Sequence, residues 1–244
     1  MHVVIQGGGR GIGLAIAKQA VAAGATKIFL TARAPASSTG FCAIPPSDIV
    51  RWAAMDFLDE TSIAATAKDI LQVMPRIDRL VMVAGVLKDD TTQPEKRLAD
   101  LDAAALHHSY QINAIGPMLF AKMLWPALRQ PHPVVVASLS ARVGSIADNR
   151  LGGWYGYRAS KAALNQLSHT AAIELARYNP ESCMITMHPG TVDTDLSKPF
   201  QKLVPDGGLF SADHSAAQLW HVMDNMQPQH TGGFFAYDGT AIAF

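Results

Sequence analysis

Cysteine is scarce in this chain of 244 residues: Cys42 and Cys183 stand alone and form no CxxC pair. That excludes a disulfide framework, and both read as small hydrophobes in a reducing compartment. An excess of charge of either sign is also missing. With 20 basic and 20 acidic side chains the formal net charge is zero, which excludes a nucleic acid held by bulk charge. Charged residues are only 16% of the chain against 49% apolar, too hydrophobic for disorder and ample for a large core. No apolar run reaches the roughly 18 residues of a membrane span. Met1-His2-Val3-Val4-Ile5 enters a glycine-rich turn with no basic segment or cleavage site, so a cytoplasmic location is expected, without membrane association. No Pro/Ser/Gly tract longer than a loop divides the chain, and residues 1–244 are expected to form one domain.

Two kinds of chemistry are likewise missing their residues. There is no HExxH, His107 and His108 are neighbours that point different ways on a helix, and His214 and His221 lack an obvious third partner, so no metal is expected. No GxSxG elbow occurs, which leaves a serine hydrolase unsupported.

What is present is alternation. Six continuously apolar runs, Val3–Gln6, Lys27–Thr31, Arg51–Met55, Arg79–Val83, Val134–Ser138 and Met184–His188, are each followed by a longer stretch of helical spacing. Runs without polar alternation suit strands covered on both faces. A seventh, Gly233–Tyr237, is expected at an edge. Helices are predicted over Ile12–Ala23, 60–74 and Tyr157–Tyr178, and over 98–129 with an interruption at Gly116-Pro117. The pattern predicts an α/β Rossmann-type, doubly wound parallel sheet of about seven strands with helices on both faces. Its ligand crevice lies at the carboxyl ends of the strands. Loops 33–48, 84–97, 139–155 and 189–214 would build the site, with a lid over about 195–214.

Gly7-Gly8-Gly9-Arg10-Gly11-Ile12-Gly13 follows the first strand and opens a helix. Glycines admit a close backbone approach and a helix start offers free N–H groups, so a pyrophosphate is expected there; the alternative is a flexible turn. The residue about 20 positions on, which separates NAD from NADP, falls in Leu30-Thr31-Ala32-Arg33. No carboxylate precedes Asp48, whereas Arg10 and Arg33 flank the place of a 2′-phosphate. Unless both arginines are merely solvated, NADP(H) is favoured over NAD.

Tyr157 and Lys161 are four residues apart, hence on one helix face, where a cation would lower the phenol's pKa. Such a pair is common on ordinary helices, and its company gives it meaning. Gly7-x-x-x-Gly11-Ile12-Gly13, Asp56, Ala84-Gly85, Asn113, a serine after the fifth strand, Tyr157-x-x-x-Lys161, and His188-Pro189-Gly190 with Thr191 and Thr194 come in one order along almost the whole chain. In this the sequence resembles the short-chain dehydrogenase/reductase family. Ser140–Ile146, Gly152–Arg158 and Phe234–Gly239 look most like its C-factor type of carbonyl reductase.

The resemblance implies a catalytic set of Asn113, Ser140, Tyr157 and Lys161. Tyr157 would be the general acid/base, Lys161 would lower its pKa and hold a ribose, Asn113 would keep a water in the proton path, and a serine would polarise the substrate oxygen. It implies cofactor contacts from Gly7, Gly9, Arg10, Gly11, Ile12, Arg33, Asp56, Phe57, Ala84, Gly85, Tyr157, Lys161, Pro189, Gly190, Thr191, Val192 and Thr194. Two departures stand out. The loop after the fourth strand reads Met82-Val83-Ala84-Gly85, without the usual asparagines, and the paired serines read Ser140-Ala141, leaving Ser138, Ser140 and Ser145 as candidates. The activity implied is NADP(H)-dependent interconversion of a small carbonyl compound and its alcohol; a catalytically silent NADP-binding sensor or signalling protein is the alternative. A homodimer or homotetramer is expected by the same resemblance. Trp154, Tyr155 and Phe200 read either as a pocket wall or as core plugs, and Lys88–Asp90 through Glu95–Arg97 as solvated loop surface.

Overall fold

The computed structural model describes residues 1–205 and 207–244, without the side chains of Pro199 and Leu203. Seven parallel strands form one sheet: β1 (His2–Gln6), β2 (Lys27–Ala32), β3 (Val50–Ala54), β4 (Arg79–Met82), β5 (Val134–Leu139), β6 (Ser182–His188) and, after two short strands, β9 (Phe234–Ala236). Their order is β3-β2-β1-β4-β5-β6-β9. The direction of winding reverses between β1 and β4, the kind of switch point where a crevice opens beyond the strand ends. All seven strands fall within two residues of the sequence expectation. The two short ones, β7 (Thr191–Val192) and β8 (Leu209–Phe210), pair with each other inside the 189–214 segment.

Alternation along the strands sends residues to two cores. Val3, Ile5, Leu30, Leu139 and Met187 meet α1 (Gly11–Ala22) and α8 (Ala212–Asp224). Val4, Phe29, Leu80, Val136 and Met184 meet α3 (Glu60–Val73), α5 (Gly116–Met123) and α7 (Tyr155–Tyr178). Ile5, Leu80 and Phe120 are 0% exposed, each worth roughly 1.5–3 kcal/mol of burial. The same alternation carries Ser138, Thr186, Ser140 and His188 onto the α7 side. Ser138 pairs with Thr186, and the ladder continues through Ser140 N–H donating to the Met187 carbonyl at 2.8 Å.

The remaining helices are α2 (Thr39–Ala43), α4 (Ala103–Tyr110) and α6 (Trp125–Leu128). The expected helix over 98–129 is thus divided, and its main irregularity lies just before Gly116-Pro117. Residues Gln111–Ile115 form a π-turn in which Gly116 N–H reaches back to the Gln111 carbonyl. Pro117 has no N–H, so the Asn113 carbonyl cannot receive the usual bond from four residues on. Among the described residues no helix is long and apolar enough to cross a membrane.

Candidate active site

The glycine turn is rigid. Gly7 and Gly8 N–H groups both donate to the Thr31 carbonyl, at 3.1 and 2.9 Å, and Gly40 N–H donates to the Gly9 carbonyl from beneath. Gly7 has φ +87°, and a Cβ there would lie 3.0 Å from Ala84 N; a Cβ on Gly13 would run into the Gly7 carbonyl. Strand end, helix start and the loop after β4 can therefore converge only because side chains are missing. Helix α1 begins without a side-chain cap, so among the described residues no side chain caps the N–H groups of its first turn. Gln6 Oε1 accepts from Val83 and Ala84 N–H at 3.2 and 3.0 Å and holds the Ala84-Gly85 loop that lacks its usual asparagines. A polar residue closing an otherwise apolar strand was the signal for this role, which sequence reasoning missed.

The other expected cofactor contacts sit around this cradle with differing freedom. Ile12 is partly buried at the start of α1. Arg10 pairs with Asp195 at 2.8 Å, and Lys198 holds the same carboxylate at 2.6 Å, whereas Arg33 is exposed and in no ion pair among the described residues. Of the two arginines, Arg33 is the uncommitted one. Asp56 Oδ1 accepts from Leu58 N–H at 3.0 Å. The Phe57 ring is buried against Gly116 and belongs to the core, while its carbonyl accepts from Gln111 Nε2. The Pro189 carbonyl accepts from Ser215 Oγ, Gly190 (φ +80°) turns the chain against the Phe210 ring, Thr191 and Val192 form β7, and Thr194 stands beside Gly11. Asp206, within the expected lid, lies outside the described residues.

On the α7 side the structure brings Asn113, Tyr157 and Lys161 together. Lys161 is 3% exposed; its Nζ donates to the Leu139 carbonyl at 2.8 Å and lies 5.9 Å from the centre of the Tyr157 ring. A Cβ on Gly85 would meet Asn113 Oδ1 at 3.0 Å and Lys161 Nζ at 3.2 Å, so only glycine lets the β4 loop lie against the ammonium. Asn113, 0% exposed, uses its whole side chain: Oδ1 accepts from Val86 N–H, and Nδ2 donates to the Val86 carbonyl and to Ser160 Oγ. What it has left is the backbone carbonyl that Pro117 cannot satisfy.

Burial dominates the titration of the pair. It pushes the Tyr157 phenol up and brings Lys161 down to about 8. The expectation that the lysine lowers the phenol is therefore not met in the protein alone, where removal from water raises it. His188, half-buried and with Nδ1 unpartnered among the described residues, is also brought down, to about 4, by burial and by the nearby Arg142 cation.

The three serines separate. Ser145 Oγ accepts from Asp148 N–H at 3.1 Å, whereas Ser138 Oγ, within β5, and Ser140 Oγ, just past the strand, are both buried without a partner among the described residues. The aromatic residues separate too: Trp154 stands 6.4 Å from Tyr157 and 5.0 Å from Phe200, ring centre to ring centre, while Tyr155 is exposed. Trp154 and Phe200 thus form a wall beside Tyr157. One expectation fails outright. Glu95 is 6% exposed and bonds the start of α7, whereas Lys96 and Arg97, which follow it, are solvated as expected.

With this geometry in hand, likenesses to known proteins can be weighed. The family model of the short chain dehydrogenases matches residues 1–203. The C-signal protein of Myxococcus xanthus is 38% identical over 146 residues, covering 59% of this chain and 82% of its own. The carbonyl reductase Sniffer of D. melanogaster superposes with a TM-score of 0.87 at 24% identity, over 100% of this chain and 99% of its own, a likeness of fold. A short-chain dehydrogenase/reductase of Burkholderia multivorans with bound NADP superposes with a TM-score of 0.80 at 26% identity, over the same shares. The chain belongs to the short-chain dehydrogenase family of oxidoreductases.

Proposed function

We propose that this protein interconverts a carbonyl compound and its alcohol with NADP(H), using Tyr157 as general acid/base. The observation that carries the reading is the buried Tyr157–Lys161–Asn113 group, packed against a glycine at Gly85 that leaves room for the ammonium. The family likeness supports oxidoreduction, and the NADP in the Burkholderia multivorans relative supports the choice of cofactor.

The residues present fit a dinucleotide. A Cβ on Gly7, Gly9 or Gly13 would crowd Ala84, Ala32 or the Gly7 carbonyl, so the turn keeps its tight course only with glycine, and the uncapped start of α1 supplies N–H donors for phosphate. Gly7, Gly9, Gly11 and Ile12 would hold the pyrophosphate, Arg33 the 2′-phosphate, and Asp56, Ala84 and Gly85 the adenosine. Arg10 reaches a phosphate only by leaving Asp195. Lys161 with Tyr157 would hold the nicotinamide ribose, and Pro189–Thr194 the carboxamide. When bound, the cofactor supplies or accepts the hydride.

The chain's own groups handle the proton. Tyr157 Oη donates to the carbonyl oxygen as it gains charge, and takes the proton back in the oxidative direction. Ser140 Oγ, unclaimed among the described residues, donates a hydrogen bond to the same oxygen. Lys161, anchored on the Leu139 carbonyl, presents its remaining protons toward the ribose and the phenol, and the freed carbonyl of Asn113 is the acceptor for a water on the route to it. Trp154 and Phe200 shape an apolar side of the cleft, which suits an uncharged substrate.

A second reading, a cofactor-binding signalling protein without turnover, takes its support from the C-signal likeness. The intact Tyr157, Lys161 and Asn113 favour the enzyme. Pairing of copies through the helix faces over 98–129 and 157–178 is part of the proposal, supported by Leu167, Ile173 and Tyr178 left exposed on α7. So is a reducing compartment for the free thiols Cys42 and Cys183. The test is NADPH oxidation against a panel of uncharged aldehydes and ketones, with NADH alongside. Turnover with NADPH preferred supports the enzyme; tight NADPH binding with no turnover of any member favours the signalling reading.

A further inference from the structure

Helix α7 starts badly by its own sequence. The residue before it, Trp154, offers no side-chain oxygen to cap the first turn, and it is the one described non-glycine residue at positive φ, with φ 54° and ψ 44°. For a bulky side chain that conformation is strained, and strain of this kind needs something to hold it. The holder comes from elsewhere in the chain. Glu95, in the loop after β4, accepts Trp154 N–H at its backbone carbonyl and Gly156 N–H at its carboxylate, at 3.1 and 3.3 Å to the two oxygens. Its two acceptors bracket the strained residue.

The carboxylate sits close against the helix start. A Cβ on Gly156 would lie 2.7 Å from Glu95 Oε1, so the carboxylate occupies the space where a side chain would start. The carboxylate is buried and in no ion pair among the described residues. Its compensation is the helix start itself, where free N–H groups and the helix dipole favour negative charge. From the other side, Arg158 Nε donates to the Gly153 carbonyl at 2.9 Å and keeps the turn closed. Tyr157 follows Gly156 directly, and the Trp154 ring lies against both Tyr157 and Phe200.

We propose that Glu95 is a positioning residue. It caps α7 from the loop after β4, fixes where the helix begins and so where Tyr157 stands, and holds Trp154 left-handed so that its indole walls the cleft toward Phe200. Glu95 touches no reacting atom and acts through the Gly156 and Trp154 amides. The kinetic consequence rests on the function proposed above, and the structural one does not.

The experiment compares the full chain with Glu95→Ala and Glu95→Gln. Hydrogen exchange reads the Gly156 amide against amides of β5 as internal reference, and kcat with NADPH and 2,2,2-trifluoroacetophenone is normalised to NADPH-binding sites titrated by fluorescence. In Glu95→Ala the Gly156 amide is expected to exchange at least about tenfold faster with β5 unchanged. Rate per bound NADPH should fall by about tenfold to a hundredfold, the scale of a misplaced catalytic group. Glu95→Gln keeps an acceptor and should restore most of both. Wild-type exchange and wild-type rate in Glu95→Ala overturn the proposal. If the wild type reduces no carbonyl compound, the exchange result alone decides for or against Glu95, and it is the proposed activity that fails. Should Glu95→Ala not fold, Glu95→Gln is compared with Gly156→Ala, whose methyl displaces the carboxylate. The amide variant should keep protection of residue 156 and the methyl variant lose it, and equal behaviour of the two overturns the proposal.

Discussion

The two ends of the cleft are made of different material. At the β1–α1 end the site is backbone: glycines set against Ala84, Thr31 and Gly40, with the nearby charges on the solvent side. At the α7 end it is side chain: Lys161, Asn113, Tyr157 and Glu95 are drawn out of water, and hydrogen bonds fix Lys161, Asn113 and Glu95, with His188 half-buried beyond them. A backbone cradle fails by steric clash, all at once. A buried side-chain cluster fails by degrees, through titration and through small displacements.

The sharpest contrast is expected from Gly13→Ala. The new methyl meets the Gly7 carbonyl, which cannot move without dragging β1, so NADPH binding should be lost and stability should drop by about 3 kcal/mol or more. NADPH titration and urea unfolding check this, and normal binding would break the account of the cradle. Next in size, Arg33→Glu puts a carboxylate where the 2′-phosphate is expected. The Kd for NADPH should rise by about tenfold to a hundredfold while that for NADH changes little.

At the other end the effect is a slope. His188 is held down to about 4 against an ordinary value of 6.5, so the unfolded chain binds the extra proton first as pH falls. The stability this group secures is fully present above pH 6.5 and drains away as pH drops toward 4. Urea unfolding at pH 7 and pH 5 should show His188→Gln losing on the order of 1–2 kcal/mol less than wild type between the two. Equal losses would mean that the imidazole is not held neutral.

The same contrast explains what could be read in advance. The seven sheet strands were legible because strands covered on both faces are continuously apolar, and the glycine turn because only one residue type tolerates its geometry. Gly116-Pro117 pointed to a break, and the structure has a π-turn ending there, with Pro117 unable to donate the usual bond to the Asn113 carbonyl. Glu95 was not legible. It sits among Lys88, Asp89, Asp90, Lys96 and Arg97, and nothing in local spacing separates it from its solvated neighbours; its partner lies 61 positions along the chain. Strands β7 and β8 were missed because two residues each carry no period. The direction of the Tyr157 shift was misjudged because burial, unlike the spacing of Tyr157 and Lys161, is invisible until the helix is packed.

The central claim is that the Tyr157 hydroxyl moves the proton. Its most direct test is a single-turnover reduction with enzyme-bound NADPH and a reactive ketone, in the wild type and in Tyr157→Phe. NADPH affinity should stay within about threefold while the rate of hydride consumption falls by at least about a hundredfold. A Tyr157→Phe protein that binds NADPH and consumes it at the wild-type rate would contradict the account.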